Sequence, residues 1–165
     1  MSERRPFVMS VGLLSLLLAT SSLAHVTVWP RESTAGTFEK YVVRVPTEGR
    51  IATVSVELRL PEGLSLVSMG APQGFRYEVK KAGDRTTAVV WTQRIEPGEF
   101  AEFAFMARNP ASEAGLVWKA VQTFTDGSTT EWVGPAGDGH PASVTTLKPA
   151  APAAKTPAPA AQHQH

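Results

Sequence analysis

Between His25 and Leu147 the chain consists of short runs in which apolar and polar residues alternate, and turn residues separate these runs. The clearest run is Ile51 to Leu60, where every second residue from Val54 onward is apolar. Strict alternation places one face of a β-strand on the core, and no segment longer than a turn has the helical period of about 3.6 residues. The pattern predicts an all-β protein, an antiparallel β-sandwich of the immunoglobulin or fibronectin III kind.

Two turns predict hairpins within this sandwich. Asp126-Gly127 is the strongest short hairpin signal, and Ala82-Gly83-Asp84 lies between two further alternating runs. Ser143 to Leu147 predicts a last strand at the edge of a sheet.

The first 24 residues have the organisation of a secretory signal peptide. Arg4 and Arg5 precede an apolar run from Phe7 to Leu18, and Ser22 and Ala24 place small residues at a cleavage site. Cleavage after Ala24 would make His25 the first residue of an exported protein, periplasmic or extracellular. The apolar run is too short to span a bilayer and no later stretch qualifies, so we expect no membrane span in the mature chain.

The predicted domain therefore covers residues 25–148. From Pro149 to His165 the composition changes to Pro and Ala, which predicts a disordered tail because such a segment has little apolar surface to bury. The tail contains His163 and His165, for which a solvated terminus and a weak accessory role in metal capture are equally good interpretations.

Composition excludes several classes of function. The chain has no cysteine, so it offers neither disulfides nor thiolate ligands of the kind found in zinc fingers and blue-copper sites. Without residues 1–24 the basic and acidic residues are equal in number, and this balance gives no support to nucleic-acid binding. A metal would be held by nitrogen and oxygen ligands, a set that favours Cu(II).

Recognised catalytic motifs are also missing from the sequence. The four histidines, His25, His140, His163 and His165, are not accompanied by a nucleophile elbow, and there is no Gly-rich phosphate loop. We therefore predict a binding protein rather than an enzyme.

Three residues are candidates for a metal site. As a new N-terminus, His25 could chelate a metal through its α-amine and the Nδ1 of its imidazole, although cleavage at this position could be incidental. Glu39 has the same parity in its strand as Tyr41, so its carboxylate needs a partner, such as a metal or the α-ammonium of His25, unless it lies at an exposed strand edge. Trp132 follows the Asp126-Gly127 hairpin and is either a core aromatic or part of the site.

A set of short motifs spread over the predicted domain resembles the bacterial YcnI-like copper-binding domain family. The matching motifs are His25-Val26-Thr27-Val28, Pro30, Glu32-Ser33, Gly36 to Tyr41, Val45-Pro46, Phe105 to Pro110, Asp126-Gly127-Ser128 and Glu131-Trp132. Each is weak alone, whereas the combination is specific and spans nearly all of residues 25–147.

The resemblance implies an immunoglobulin-like sandwich that binds Cu(II) through a monohistidine brace. In that model His25 supplies the amine and the imidazole, Glu39 supplies a carboxylate and Trp132 lies beside the metal. It further implies copper homeostasis or delivery together with other envelope copper-handling proteins.

Two alternatives remain open. The domain could be a metal-independent interaction or adhesion module, in which case copper affinity would not depend on a free N-terminus. It could also be a copper oxygenase, which would need a second histidine, such as His140, at the metal.

Overall fold

A computed structural model describes residues 25–71, 73–112 and 115–150. The predicted signal peptide (1–24) and all of the predicted tail beyond Ala150 lie outside the described residues. The described part of the chain forms eleven strands and no helix. The strands are β1 (Thr27–Trp29), β2 (Glu32–Thr34), β3 (Phe38–Pro46), β4 (Thr53–Arg59), β5 (Ser65–Met69), β6 (Arg76–Ala82), β7 (Arg85–Ile95), β8 (Phe100–Arg108), β9 (Leu116–Phe124), β10 (Thr129–Trp132) and β11 (Ser143–Lys148).

These strands form two sheets that enclose one core. The smaller sheet has the order β1-β3-β8-β5, and the larger has the order β2-β11-β9-β4-β7-β6 with β10 added beside β9. Alternation explains the core: along β3 and β8, every second side chain points inward and is buried, as Tyr41 and Phe105 are. Trp91 and Trp118 of the larger sheet meet them from the other side. The predicted all-β sandwich is confirmed.

The prediction that Ser143 to Leu147 forms an edge strand is wrong. β11 lies between β9, to which it is antiparallel, and β2, to which it is parallel. The reason is that β2 has only three residues and lies between Pro30 and Gly36 in sequence, too short to show an alternating pattern. A parallel pair between residues more than 100 positions apart leaves no local signal.

The register of β1 defines the two ends of the sandwich. Thr27 pairs with Arg44 and Trp29 pairs with Val42, so residues before Thr27 lie beside the end of β3 near Pro46. The free edge of β1 is fixed to the larger sheet, because the backbone N–H of Val28 donates to the Ser143 hydroxyl (2.9 Å). We call the end that contains His25 and Pro46 the His25 end; β3 begins at the opposite end.

Candidate metal centre

Three aromatic rings meet at the His25 end. The imidazole of His25 lies against the indole of Trp132, with 5.3 Å between ring centroids. His140 contacts the same indole nearly edge-on at 5.1 Å. Trp132 is buried, His25 is half-buried and His140 is exposed. The structure thus brings two predicted site residues, His25 and Trp132, into contact.

The indole of Trp132 is oriented by a buried polar network. Strand β10 pairs with β9 so that Trp132 faces inward beside Ala120, and its Nε1–H donates to Oε1 of Gln122 (3.2 Å). The Gln122 amide in turn donates to the carbonyl of Pro46 (2.9 Å) and to the hydroxyl of Thr53 (2.6 Å). This network ties the indole to the end of β3 and restricts its rotation, because each alternative orientation leaves a buried polar group without a partner.

A short loop after β10 carries His140. Its ends are joined where Gly134 N–H donates to the His140 carbonyl (3.0 Å) and Ala142 N–H donates to the Gly134 carbonyl (2.9 Å). Within the loop, His140 N–H donates to Oδ1 of Asp138 (3.2 Å). A Cβ on Gly134 would lie 2.8 Å from Cγ of Asp138, so any other residue at that position would force the Asp138 side chain to move.

A carboxylate that the sequence analysis did not select, Glu48, lies at the same end. Glu48 lines a pocket of about 180 Å³ together with Trp132 and His140. The residue before it, Thr47, is buried: its N–H donates to the Glu99 carbonyl (2.9 Å) and its hydroxyl donates to Thr53 (2.7 Å). Glu48 itself is exposed, and the described residues show no ion pair to it.

Glu39 does not join this group, which corrects the predicted three-residue set. It lies near the first residue of β3, whereas Pro46, the last, is beside His25; six intervening residues of extended strand keep Glu39 and Pro46 roughly 20 Å apart. Its carboxylate is already satisfied, because the Ser33 hydroxyl donates to Oε2 (2.6 Å) and Lys40 N–H donates to Oε1 (3.0 Å). The Glu39 carboxylate does have a partner, as its position in the strand predicts, and that partner is the hydroxyl of Ser33 in β2.

The surroundings of Glu39 form a structural link between the sheets. Asn109 donates to the Ser33 hydroxyl (2.9 Å) and to the Thr34 carbonyl (2.8 Å), and the hydroxyl of Tyr41 donates to the Asn109 side chain (2.6 Å). Burial raises the pKa of Tyr41 to about 12, and the nearby negative charge of Glu39 contributes to this. The polar cluster holds β2 of the larger sheet against β3 of the smaller one.

The His25 end presents donors that suit Cu(II) but no complete cage of side chains. No group of three or more histidine, aspartate or glutamate side chains in the described ranges is close enough together to hold a metal ion. A free α-amine at His25 would add a second nitrogen donor on the same residue as its imidazole. With the Glu48 carboxylate, the set is two nitrogens and one oxygen, which fits Cu(II).

Comparison with known proteins shows the family of the chain. A model of the DUF1775 family, described as a domain of unknown function, matches residues 25–162. The chain belongs to the DUF1775 family. Copper-binding protein CutI of Bacillus subtilis (strain 168) is 34% identical over 140 residues, which are 83% of this chain and 68% of CutI. The resemblance to YcnI-like copper-binding domains is confirmed.

Solved structures assign the fold of this DUF1775 protein. An uncharacterized protein from Nocardia farcinica with an immunoglobulin-like fold is 27% identical, covers 75% of this chain and 98% of its own, and has a TM-score of 0.66. A cohesin module of a Clostridium perfringens family 33 glycoside hydrolase, 13% identical, covers 76% and 97% with a TM-score of 0.52. The predicted immunoglobulin-like architecture is confirmed. Across the described residues, the structure has no helix that is long and apolar enough to cross a membrane.

Sequence signals for the missed residue were present but weak. Glu48 stands in the segment Thr47-Glu48-Gly49, just beyond β3, the strand that pairs with β1. The antiparallel pairing of β1 with β3 is what brings this segment to the same end of the sandwich as His25, and the sequence gives no direct sign of that pairing. When the pairing is unknown, a carboxylate that contributes to a site cannot be distinguished by sequence from one that only faces solvent.

Proposed function

We propose that this protein is an exported Cu(II)-binding protein of copper homeostasis or delivery. Mature His25 would chelate the metal through its α-amine and Nδ1, Glu48 would supply a carboxylate, and Trp132 would lie beside the ion. The observation that carries the proposal is the contact between the His25 imidazole and the indole of Trp132, a residue that lines a pocket together with Glu48. The 34% identity to a protein named for copper binding supports the choice of metal.

The proposed role is binding rather than catalysis. Copper would bring a preference for nitrogen and oxygen ligands in a tetragonal arrangement. The residues of the chain supply everything else: β1 fixes the position of His25, the indole of Trp132 shields one side of the pocket, and Gln122 orients that indole. Because the site has neither thiolate nor thioether, the reduced ion should be held more weakly than Cu(II).

The test is a Cu(II) titration followed by electron paramagnetic resonance on protein that begins at His25. We expect one tightly bound ion with nitrogen hyperfine structure from the amine and the imidazole. The matched control carries one extra residue before His25, which converts the amine into an amide and leaves every side chain in place. Tight binding should be lost in that control.

Equal affinity with and without the extra residue would contradict the proposal, because the chelate ring needs the free amine. Both proteins should carry His163→Ala and His165→Ala, so that binding by the C-terminal histidines does not contribute. Mass spectrometry of the protein exported by its host checks that the chain is cut before His25.

A further inference from the structure

His140 is an imidazole at the candidate centre to which the proposed binding mode gives no role. It is exposed, contacts Trp132 at 5.1 Å between ring centroids, and lines the same pocket as Glu48. Among the described histidines, His25 and His140 are the two that contact this indole.

The position of His140 is fixed by the backbone. The Gly134–Ala142 loop is closed by two backbone hydrogen bonds and by a bridge between Gly134 and Pro141, and Asp138 accepts from His140 N–H. An exposed side chain on a tethered backbone can turn its ring toward or away from the pocket without rearranging the fold.

The pocket is large enough for an ion in transit. Its volume of about 180 Å³ compares with ~30 Å³ per water molecule in the liquid, so an ion could keep part of its hydration shell there. Glu48 and His140 give this space one carboxylate and one imidazole, and both side chains are exposed to solvent.

We propose that His140 is a transit ligand, which binds Cu(II) transiently as the ion enters or leaves the centre formed by His25 and Glu48. This inference rests on the proposed function. A chelated ion leaves one bond at a time; the one free nitrogen of the His140 imidazole, present at a high effective concentration, takes the place of one broken bond, and water takes the places of the others. Each step exchanges one ligand bond for another, so copper remains Cu(II) throughout.

A transit ligand speeds capture and release together and leaves the affinity unchanged. This separates it from a resident ligand, whose loss lowers the affinity, and from a residue that only packs on Trp132. His140→Ala removes both the imidazole nitrogen and the ring, whereas His140→Phe removes the nitrogen but keeps an aromatic ring against the indole.

The experiment measures Cu(II) capture and release by stopped-flow fluorescence, with the His163→Ala and His165→Ala background and the chain starting at His25. Capture is measured with Cu(II)–glycine complexes and release with EDTA as acceptor. Both His140 variants should show both rates lowered about tenfold, the equivalent of ~1.4 kcal/mol of barrier, with the dissociation constant changed by less than about threefold.

Three results would overturn the inference. Rates equal to those of the parent protein would leave His140 without a role in exchange. Slow exchange in His140→Ala but not in His140→Phe would assign it to ring contact alone. A large loss of affinity in both would make it a resident ligand. The proposed function fails by a different result, namely equal copper affinity with and without the extra residue before His25.

Discussion

The two carboxylates Glu39 and Glu48 show how far single residues could be interpreted from sequence. Alternation along β3 correctly placed Glu39 on the inward face, where it needed a partner. That the partner is Ser33 depends on β2, a strand with no pattern of its own. Glu48 was not selected, because an exposed carboxylate in a segment between strands needs no partner in the protein. Its position near His25 becomes evident only when the pairing of β1 with β3 is known.

These two residues form a matched pair for mutation. Glu48→Gln removes the negative charge from the proposed centre, and we expect Cu(II) affinity to fall about tenfold to a hundredfold with the free energy of unfolding unchanged within ~0.5 kcal/mol. Isothermal titration calorimetry and urea unfolding measure the two quantities.

Glu39→Gln should have the reverse effect. The Ser33 hydroxyl and the Lys40 N–H both donate to this carboxylate, so an amide leaves one donor without an acceptor and should cost about 1–2 kcal/mol of stability. Copper affinity should not change. A drop in affinity for Glu39→Gln, with none for Glu48→Gln, would restore Glu39 as the ligand.

The raised pKa of Tyr41 predicts that the protein becomes less stable at alkaline pH. Its folded pKa of about 12 exceeds the ordinary value of 10.0, so the folded state holds the phenolic proton more tightly than the unfolded state. The stabilisation is complete below pH 10 and is lost as the pH rises from 10 toward 12. Urea unfolding at intervals across this range should show stability falling in the parent protein and a shallower fall in Tyr41→Phe. Parallel curves would contradict the assignment.

At the scale of strands and loops, local patterns predicted most elements and their faces. The long strands β3, β4, β8 and β9 alternate clearly, and the Asp126-Gly127 hairpin joins β9 and β10 as expected. The pairing of strands that are far apart in sequence could not be predicted in this way. The parallel contact of β2 with β11 and the placement of β1 beside both sheets follow from long-range hydrogen bonds, which no window of sequence contains.

The Gly134–Ala142 loop supplies a prediction at this scale. In Gly134→Ala the added methyl group would meet the Asp138 side chain at less than contact distance, so Asp138 must rotate and release the His140 N–H. We expect a loss of about 1 kcal/mol in stability and slower copper exchange, as in the His140 variants. Thermal unfolding and the stopped-flow assay measure these effects. Gly139→Ala, whose Cβ meets no atom within 4 Å, is the control in the same loop.

For the whole molecule, copper binding should stabilise the fold by linkage. An ion that binds only the folded state adds about 2.7 kcal/mol when its free concentration is a hundredfold above the dissociation constant. For a domain of this size we expect the melting temperature to rise by roughly 5–10 °C. Calorimetry with and without Cu(II) should show the increase in protein that begins at His25. An equal increase in the protein with one extra residue would place the stabilising site elsewhere.

The architecture has a consequence for when the protein can acquire metal. The residues of the proposed centre are at positions 25, 48 and 132, and they come together only after β1, β3 and β10 have taken their places. If the chain is cut before His25 only after export, a precursor inside the cell has no free amine at His25. Copper loading at the proposed centre would then require two events, proteolysis and folding, and this centre could not remove copper from the compartment in which the chain was synthesised.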